Sequence, residues 1–462
     1  MRYRRTIVQF ALTAAGALGL SMIVCLLADP YDIFCIVDKR GFNVTKNDDL
    51  ADHSRVTKSM KVIRYKPQRI LLGSSVVDSG FLLPGALQVS YGNPPALLQQ
   101  LPPSDRKLYL NTAIRGGGLY EEWKMLQHAY ANNPKLDYVL LGVEWGQFTD
   151  AKPPIPGNPD VPAIGATHMP PGVFFERTLT WRAFADSCYV IYFNALKPVL
   201  RSIRESWEAH ADETARPMIL HGDLPVLARG SWPQSRAFYF SAWDLTNRLS
   251  YKRSHGTLQL SPAIDYMRRI VDFCREHHIK LDVYVSPQSA LYWAVADANG
   301  MGPDVDKWLA TLAAITPYYD FSGLVDFSDR QDDYFMNDPL HFDESVGALI
   351  FSRVLAGDPA HQVTAETAAA DIARRHVDLA AWLSRNAYYN DILPRYRLDP
   401  WKSDWPNILP TRYDPDIAGR TVIGMHGTFY AMPGQPPYDL RTLLSGGYGA
   451  VTAPTVEGLK KN

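Results

Sequence analysis

Cysteine is scarce in this chain, net charge is almost absent, and no cofactor-binding motif occurs. The 462 residues contain four cysteines. Cys25 lies inside an apolar N-terminal run and Cys35 just beyond it, which leaves Cys188 and Cys274 as candidates for a disulfide in an oxidising compartment. Cys274 falls on the apolar face Ile264, Met267, Val271, Cys274 of a helix opened by Ser261 and Pro262, where a buried free thiol is the expected state. The 47 basic and 48 acidic residues nearly cancel, and without a long basic run nothing electrostatic points to nucleic acid. Gly-x-Gly-x-x-Gly, the P-loop and zinc-ligand spacing are all missing, so neither a cofactor nor a metal is expected. His277-His278 does not change this, because adjacent histidines on a helix point in different directions and a favourable helix C-terminus accounts for them. Internal repeats and low-complexity segments are missing as well.

What is present begins at the N-terminus. Arg2, Arg4 and Arg5 precede a segment from Thr6 to Ala28 without a charged residue. At about 1.5 Å per residue such a run spans a hydrocarbon core of roughly 30 Å, and its basic flank favours a cytoplasmic N-terminus. The run is long for the apolar part of a cleavable signal peptide, it ends without Ala-x-Ala, and Val24 before Cys25 is too large for a lipobox. A single-pass signal anchor over residues 6–28 is expected, with the rest of the chain outside the cytoplasmic membrane.

Hydrophobic residues make up 46% of the chain, ample for a core. Aromatic residues reach 12%, with 11 Trp and 25 Tyr, which suits a sugar-binding surface, although packing is the commoner use. Residues 29–68 read as a charged linker leaving the anchor through Asp29-Pro30-Tyr31. From Arg69 apolar strands alternate with amphipathic helices: strands at Ile70 to Leu72, Leu108 to Leu110, Tyr138 to Val143, Leu281 to Val285 and Leu324 to Phe327, and helices at Leu119 to Tyr130, Ala263 to Glu276 and Ser345 to Leu355. That rhythm predicts an α/β domain over 69–358 with a mostly parallel sheet covered on both faces. Between about 150 and 260 it breaks at Pro- and Gly-rich turns, and two helical runs follow around Ala185 to Glu208, so an insertion is expected, either a lid beside the site or a cap on the sheet edge. Residues 359–462 form a C-terminal extension, a helix over Ala365 to Asn386 and then a stretch rich in Pro, Gly and aromatics. Its Gly424-Met425-His426-Gly427 imitates a lipase oxyanion motif without the strand and helix context that motif needs.

The chemistry-bearing residues lie far apart in sequence. Gly73-Ser74-Ser75 follows the first strand, and Asn337-Asp338-Pro339-Leu340-His341-Phe342 comes near the end of the α/β region. A serine hydroxyl is a weak nucleophile until a base takes its proton, and a histidine does this best when a carboxylate fixes its tautomer. Ser75, His341 and Asp338 would supply nucleophile, base and carboxylate, with Ser75 at a strand end where open α/β sheets place their chemistry. Taken singly, Ser75 reads equally as a helix cap, His341 as a satisfied turn histidine, and Asp338 as an N-cap.

These blocks, with the Gly-bearing loop Asn111-Thr112-Ala113-Ile114-Arg115-Gly116 and the strand ending Leu141-Gly142-Val143-Glu144, resemble in order and placement those of the SGNH, or GDSL-type, hydrolase superfamily. The resemblance covers roughly Arg69 to Leu355 and implies a flavodoxin-like three-layer sandwich. In that pattern the nucleophile is the second residue after the Gly, hence Ser75 beside Ser74, and the backbone amides of Ser75 and Gly116 form the oxyanion hole. The membrane-tethered arrangement further resembles the branch that moves acyl groups, usually acetyl, onto bacterial cell-surface polymers, as alginate acetyltransferases and teichoic-acid D-alanylation proteins do. It implies a domain on the periplasmic side of the inner membrane, a carbohydrate polymer or acyl ester as substrate, and a membrane-bound acyl-donor protein as partner. One block departs from the pattern: where the family places an Asn that donates to the oxyanion, this chain has Glu144. An ionised carboxylate only accepts hydrogen bonds, so Glu144 is expected to be protonated, turned away, or paired with a cation such as Arg115. Two functions follow as expectations: a serine-dependent acyltransferase or esterase, or a catalytically weak SGNH-like scaffold that binds a surface polymer or an export complex.

Overall fold

The computed structural model describes residues 2–37, 39, 41–43, 46, 54–81, 109–149, 164–200, 245, 260, 262–323, 328, 340–342 and 344–386, together with the backbone of 421–424 and 427–430. Helix α1, Arg2–Ala28, is uncharged from Thr6 onward, and its stretch Tyr3–Ala28 is long and apolar enough to cross a membrane. It ends in a turn that the sequence reading treated as the start of a linker. Asp29, Asp32 and Cys35 all adopt positive φ there, at 45°, 56° and 46°. The buried Asp29 carboxylate accepts from the Ile33 amide at 2.8 Å and the Cys35 amide at 2.7 Å, which offsets the cost of that backbone. Helix α2, Ser54–Tyr65, clasps the turn: Thr57 Oγ1 donates to the Tyr31 carbonyl at 2.9 Å, Lys61 pairs with Asp32, and Arg64 donates to the Cys35 carbonyl at 2.7 Å. Val56, Met60 and Val62 of α2 are buried. The second half of 29–68 is therefore part of the body.

The sheet is built from β1 Arg69–Leu72, β2 Tyr109–Asn111, β3 Tyr138–Val143, β4 Lys280–Val285, β5 Tyr318–Asp320 and β6 Gln362–Val363, in the spatial order β2-β1-β3-β4-β5-β6. The first five run parallel and β6 joins antiparallel at the edge. The fold is thus α/β, with a mixed and mostly parallel sheet. Strand side chains alternate between faces, and the cores sort accordingly. Ile70, Leu72, Val139, Leu141, Val283 and Val285 join one cluster with helices α4 Leu119–Asn132, α8 Ala263–Glu276, α9 Ala290–Ala298 and α10 Gly302–Ile315. Leu71, Leu140, Tyr284 and Tyr319 join the other with α3 Ser75–Gly80 and α11 Glu344–Leu355. A short α5, Trp145–Thr149, follows β3, and α12, Ala368–Arg385, packs on α9 and α10.

The strand expected over 324–327 lies outside the described residues; the strand beside β4 is instead Tyr318–Asp320, with Val285 opposite Asp320. Of the insertion, residues 164–200 are described, and they form α6 Pro171–Leu179 and α7 Trp181–Ile191, followed by a π-helical turn Tyr192–Leu196. Cys188 is exposed and Cys274 buried, and both are free thiols. In the C-terminal extension, Gly424 and Gly427 face each other across an antiparallel pair, β7 Thr421–Gly424 with β8 Gly427–Tyr430.

Candidate active site

The order β2-β1-β3 makes the chain turn opposite ways from the carboxyl ends of β1 and β3, which opens a crevice where ligands bind in such sheets. Gly73-Ser74-Ser75 leaves β1 there and Glu144 leaves β3. Gly73 has φ +152°, and a Cβ at that position would lie 2.2 Å from Val77 Cγ2 and 3.0 Å from the Gly142 carbonyl oxygen. Only glycine allows the turn. Ser74 is the N-cap of α3, its Oγ accepting from the Val76 amide at 3.2 Å while its hydroxyl donates to Glu144 Oε1. Ser75 is the first helical residue, so its amide has no intrahelical acceptor.

His341 Nε2 lies 2.8 Å from Ser75 Oγ across 266 positions of sequence. For Nε2 to take the serine proton, the hydrogen of the neutral ring must reside on Nδ1. Packing between α3 and α11 sets this distance. A Cβ on Gly347 would stand 1.8 Å from the Gly80 carbonyl oxygen, and one on Gly80 would meet the Phe342 ring at 2.1 Å, so the two helices cross at backbone contact. Phe342, adjacent to His341, is fully buried and edge-on to Phe81 at 6.0 Å between ring centroids. Asp338 lies outside the described residues.

A buried charge cluster supports α3 from beneath. Asp78 is paired with Lys58 of α2 at 2.5 Å and with Arg115 at 2.8 Å, and Lys58 also donates to the Asn111 carbonyl at 3.0 Å. Burial works against the Asp78 charge, but the two cations overcome it and hold the carboxyl below its usual range. Lys58 has one carboxylate against its own complete burial, which pulls its ammonium down to about 8. Arg115 is therefore the partner of Asp78 and not, as the sequence suggested, of Glu144. The Asn111 amide donates to the carbonyls of Val77 at 3.0 Å and Phe81 at 2.9 Å, while its Oδ1 accepts from Ala113 at 3.0 Å. It thereby ties the C-terminus of α3 to the end of β2.

The loop after β2 is tied to the Gly73-Ser74-Ser75 turn by the Ile114 amide, which donates to the Gly73 carbonyl at 2.9 Å. Gly116 follows in an exposed turn at φ +66°. Gln147 bridges this loop to the end of β3: its Oε1 accepts from the Glu144 amide at 3.0 Å, and its amide reaches the Gly117 carbonyl at 3.4 Å and the Glu122 carboxyl. Glu122 is buried, and burial raises its pKa well above the ordinary value despite the Gln147 bond, with Glu144 and Glu121 adding to the rise. A carboxyl that burial makes easier to protonate and the acceptor Glu144 thus stand near each other at the rim of the site.

Lys58, Asp78, Asn111 and Gln147 were not singled out from sequence. The sequence around them carries no spacing that marks them; Asp78 lies between Val77 and Ser79 in a short helix. Among the described residues, Asp29, Asp32 and Cys35 are the one group spaced like metal ligands, and their acceptors are engaged in the turn after α1. The arrangement at Ser75 offers a hydroxyl in contact with a base, a free helix-start amide and a polar rim, which are parts of an acyl-transfer site. No protein-family model matches the chain and no curated protein matches it, so its chemistry has to be read from this geometry.

Proposed function

We propose that the chain is an extracytoplasmic, SGNH-like serine acyltransferase or esterase acting on a cell-surface carbohydrate, anchored in the inner membrane by α1. The contact of His341 Nε2 with Ser75 Oγ at 2.8 Å carries the reading. His341 takes the Ser75 proton as Oγ attacks the acyl carbonyl, and returns it to the leaving group as the donor's bond to the carbonyl carbon breaks. In the second half a sugar hydroxyl, or water, gives its proton to His341 and attacks the acyl-serine, so that Ser75 regains its proton and the acyl group leaves as a new ester or as acid. The amides of Ser75 and Gly116 are the donors for the oxyanion, Asp338 is the carboxylate behind His341, and a membrane-bound protein supplies the acyl group. A parallel sheet ordered 2-1-3-4-5, with the serine at the end of β1, supports the flavodoxin-like SGNH assignment.

A second reading, a scaffold with little or no turnover, draws on Glu144, an acceptor bonded to Ser74 where a donor is wanted. Incubating the full chain with a fluorophosphonate and locating the adduct by mass spectrometry separates the two. An adduct on Ser75 that depends on His341 supports the enzyme; an unlabelled Ser75 in folded protein rejects it.

A further inference from the structure

Helices α6 and α7 are built inside out for a protein surrounded by water. Their buried positions are Arg177 and Thr178 in α6 and Ala183, Ser187 and Val190 in α7, with Asn194 in the π-helical turn, while Phe175 and Trp181, and Leu196, Val199 and Leu200 beyond α7, face outward, Trp181 with 81% of its surface exposed. Three of the buried polar side chains bond within their own helical turns: Thr178 Oγ1 donates to the Phe174 carbonyl at 2.7 Å, Ser187 Oγ to that of Ala183 at 2.6 Å, and Asn194 to that of Val190 at 2.8 Å. An amphipathic helix of a water-soluble domain turns its apolar stripe inward; small and hydroxyl-bearing residues inside with apolar residues outside are the pattern of helices packed in lipid.

The location agrees. Both helices pack against α1, and around buried Cys25 its outer end meets Ala183, Val173, Phe174 and Phe184. The exposed apolar residues of 175–200 thus belong to a segment packed against α1, whose own apolar side chains are exposed along most of its length. Tyr31 Oη donates to Asp186 at 2.6 Å and Arg177 stacks over the Tyr31 ring at 4.7 Å, which fixes α7 to the turn at the end of α1. Arg182 is largely exposed beside Trp181, and Lys197 lies 4.4 Å from the Phe193 ring centroid, so cations border the apolar residues.

We infer that residues 171–200 form an interfacial platform whose apolar face, carrying Trp181, Leu196 and Val199, is buried at the headgroup–acyl boundary of a phospholipid bilayer beside α1. This rests on the reading of α1 as a membrane anchor and adds a second lipid contact to it. The occupant is lipid because both helices carrying this face pack directly on α1, and its aromatic and basic residues are those that settle at a membrane interface.

The test uses the full chain in nanodiscs of phosphatidylethanolamine and phosphatidylglycerol. Cys188 is replaced by Ser, the other native cysteines being buried, and a nitroxide is attached at Trp181→Cys, Leu196→Cys or Val199→Cys. Leu12→Cys on α1 reports the anchor, and Arg275→Cys on the exposed surface of α8 reports water. Unchanged thermal midpoints qualify each variant as folded. The expected result is that labels at Leu196 and Val199 collide with oxygen several-fold more than with a nickel chelate, in the same sense as Leu12 and opposite to Arg275, with Trp181 intermediate. Nickel-favoured collisions at Leu196 and Val199 alongside an oxygen-favoured Leu12 would overturn the platform and leave the anchor standing. Labels shielded from both reagents would mean that protein covers the face, which also rejects it. A nickel-favoured Leu12 would remove the anchor and the platform together.

Discussion

Lys58 donates to Asp78 at 2.5 Å with both side chains sealed from solvent, and this bond joins the helix that clasps the turn after α1 to the helix that begins with Ser75. Removing one partner of a buried pair strands the other charge, at a cost of about 3–5 kcal/mol. Lys58→Met should therefore lower the unfolding free energy by about that amount, slightly reduced because Arg115 still pairs with Asp78. The double variant Lys58→Met/Asp78→Asn should recover part of the loss. Chemical denaturation of the three proteins checks the order.

Ser75→Ala and His341→Ala should each suppress cleavage of a small acetyl ester by at least about a thousandfold, and the double variant should lose little more than either alone, because members of one catalytic unit are not additive. Unchanged melting temperatures would place the effect in the chemistry. Losses that multiply would show that the 2.8 Å contact is only structural.

At Glu144 the expected direction follows from its bond to Ser74. Glu144→Gln keeps an oxygen to accept that hydroxyl and removes a negative charge next to the nucleophile. Stability should change by less than about 0.5 kcal/mol, and turnover should rise by on the order of tenfold, equivalent to about 1.4 kcal/mol of relieved repulsion. Steady-state kinetics with a soluble ester measures it.

Glu122 predicts a pH dependence. Its carboxyl is protonated more readily in the folded chain than at its ordinary value of 4.5. Between 4.5 and that raised value the folded state holds a proton the unfolded state has released, so stability falls as pH rises through this window. Glu122→Gln should leave the melting temperature nearly unchanged at pH 4 and raise it at pH 8. Thermal scans across that range would show a flatter profile for the variant.

Gly347→Ala would push a methyl group onto the Gly80 carbonyl, where 1.8 Å leaves no room. Separating α11 from α3 should cost about 1–3 kcal/mol and reduce esterase activity by more than the stability loss explains, since His341 travels with the start of α11. Comparing turnover with the folded fraction at 20 °C tests this.

Where the chain announces its structure, it does so through apolar runs. Tyr138–Val143 and Ala263–Glu276 were legible to the residue because each is one uninterrupted pattern bounded by breakers. The strand Tyr318–Asp320 was not, since three residues after Pro317 give no period, and the more apolar Leu324 to Phe327 drew the reading away. Helix α2 was hidden for another reason. Its Arg55, Lys58 and Lys61 look like a solvated surface until their partners Glu121, Asp78 and Asp32, at separations of 66, 20 and 29 residues, come into view. The motif residues Ser75 and His341 could be named from sequence, whereas the cluster beneath them could not, because ion pairs between separate elements leave no spacing to read.

The positive-φ turn from Asp29 to Cys35 has a further consequence for reach. A reactive group on a slack tether sweeps a volume and finds its targets by wandering. Here the exit from α1 is pinned by buried carboxylate and lysine contacts to α2, and α2 is pinned to α3, so Ser75 has no leash and is held at one height above the end of α1. An acceptor would have to be threaded past that fixed point, and lengthening the turn by a few glycines would trade a working distance for a search.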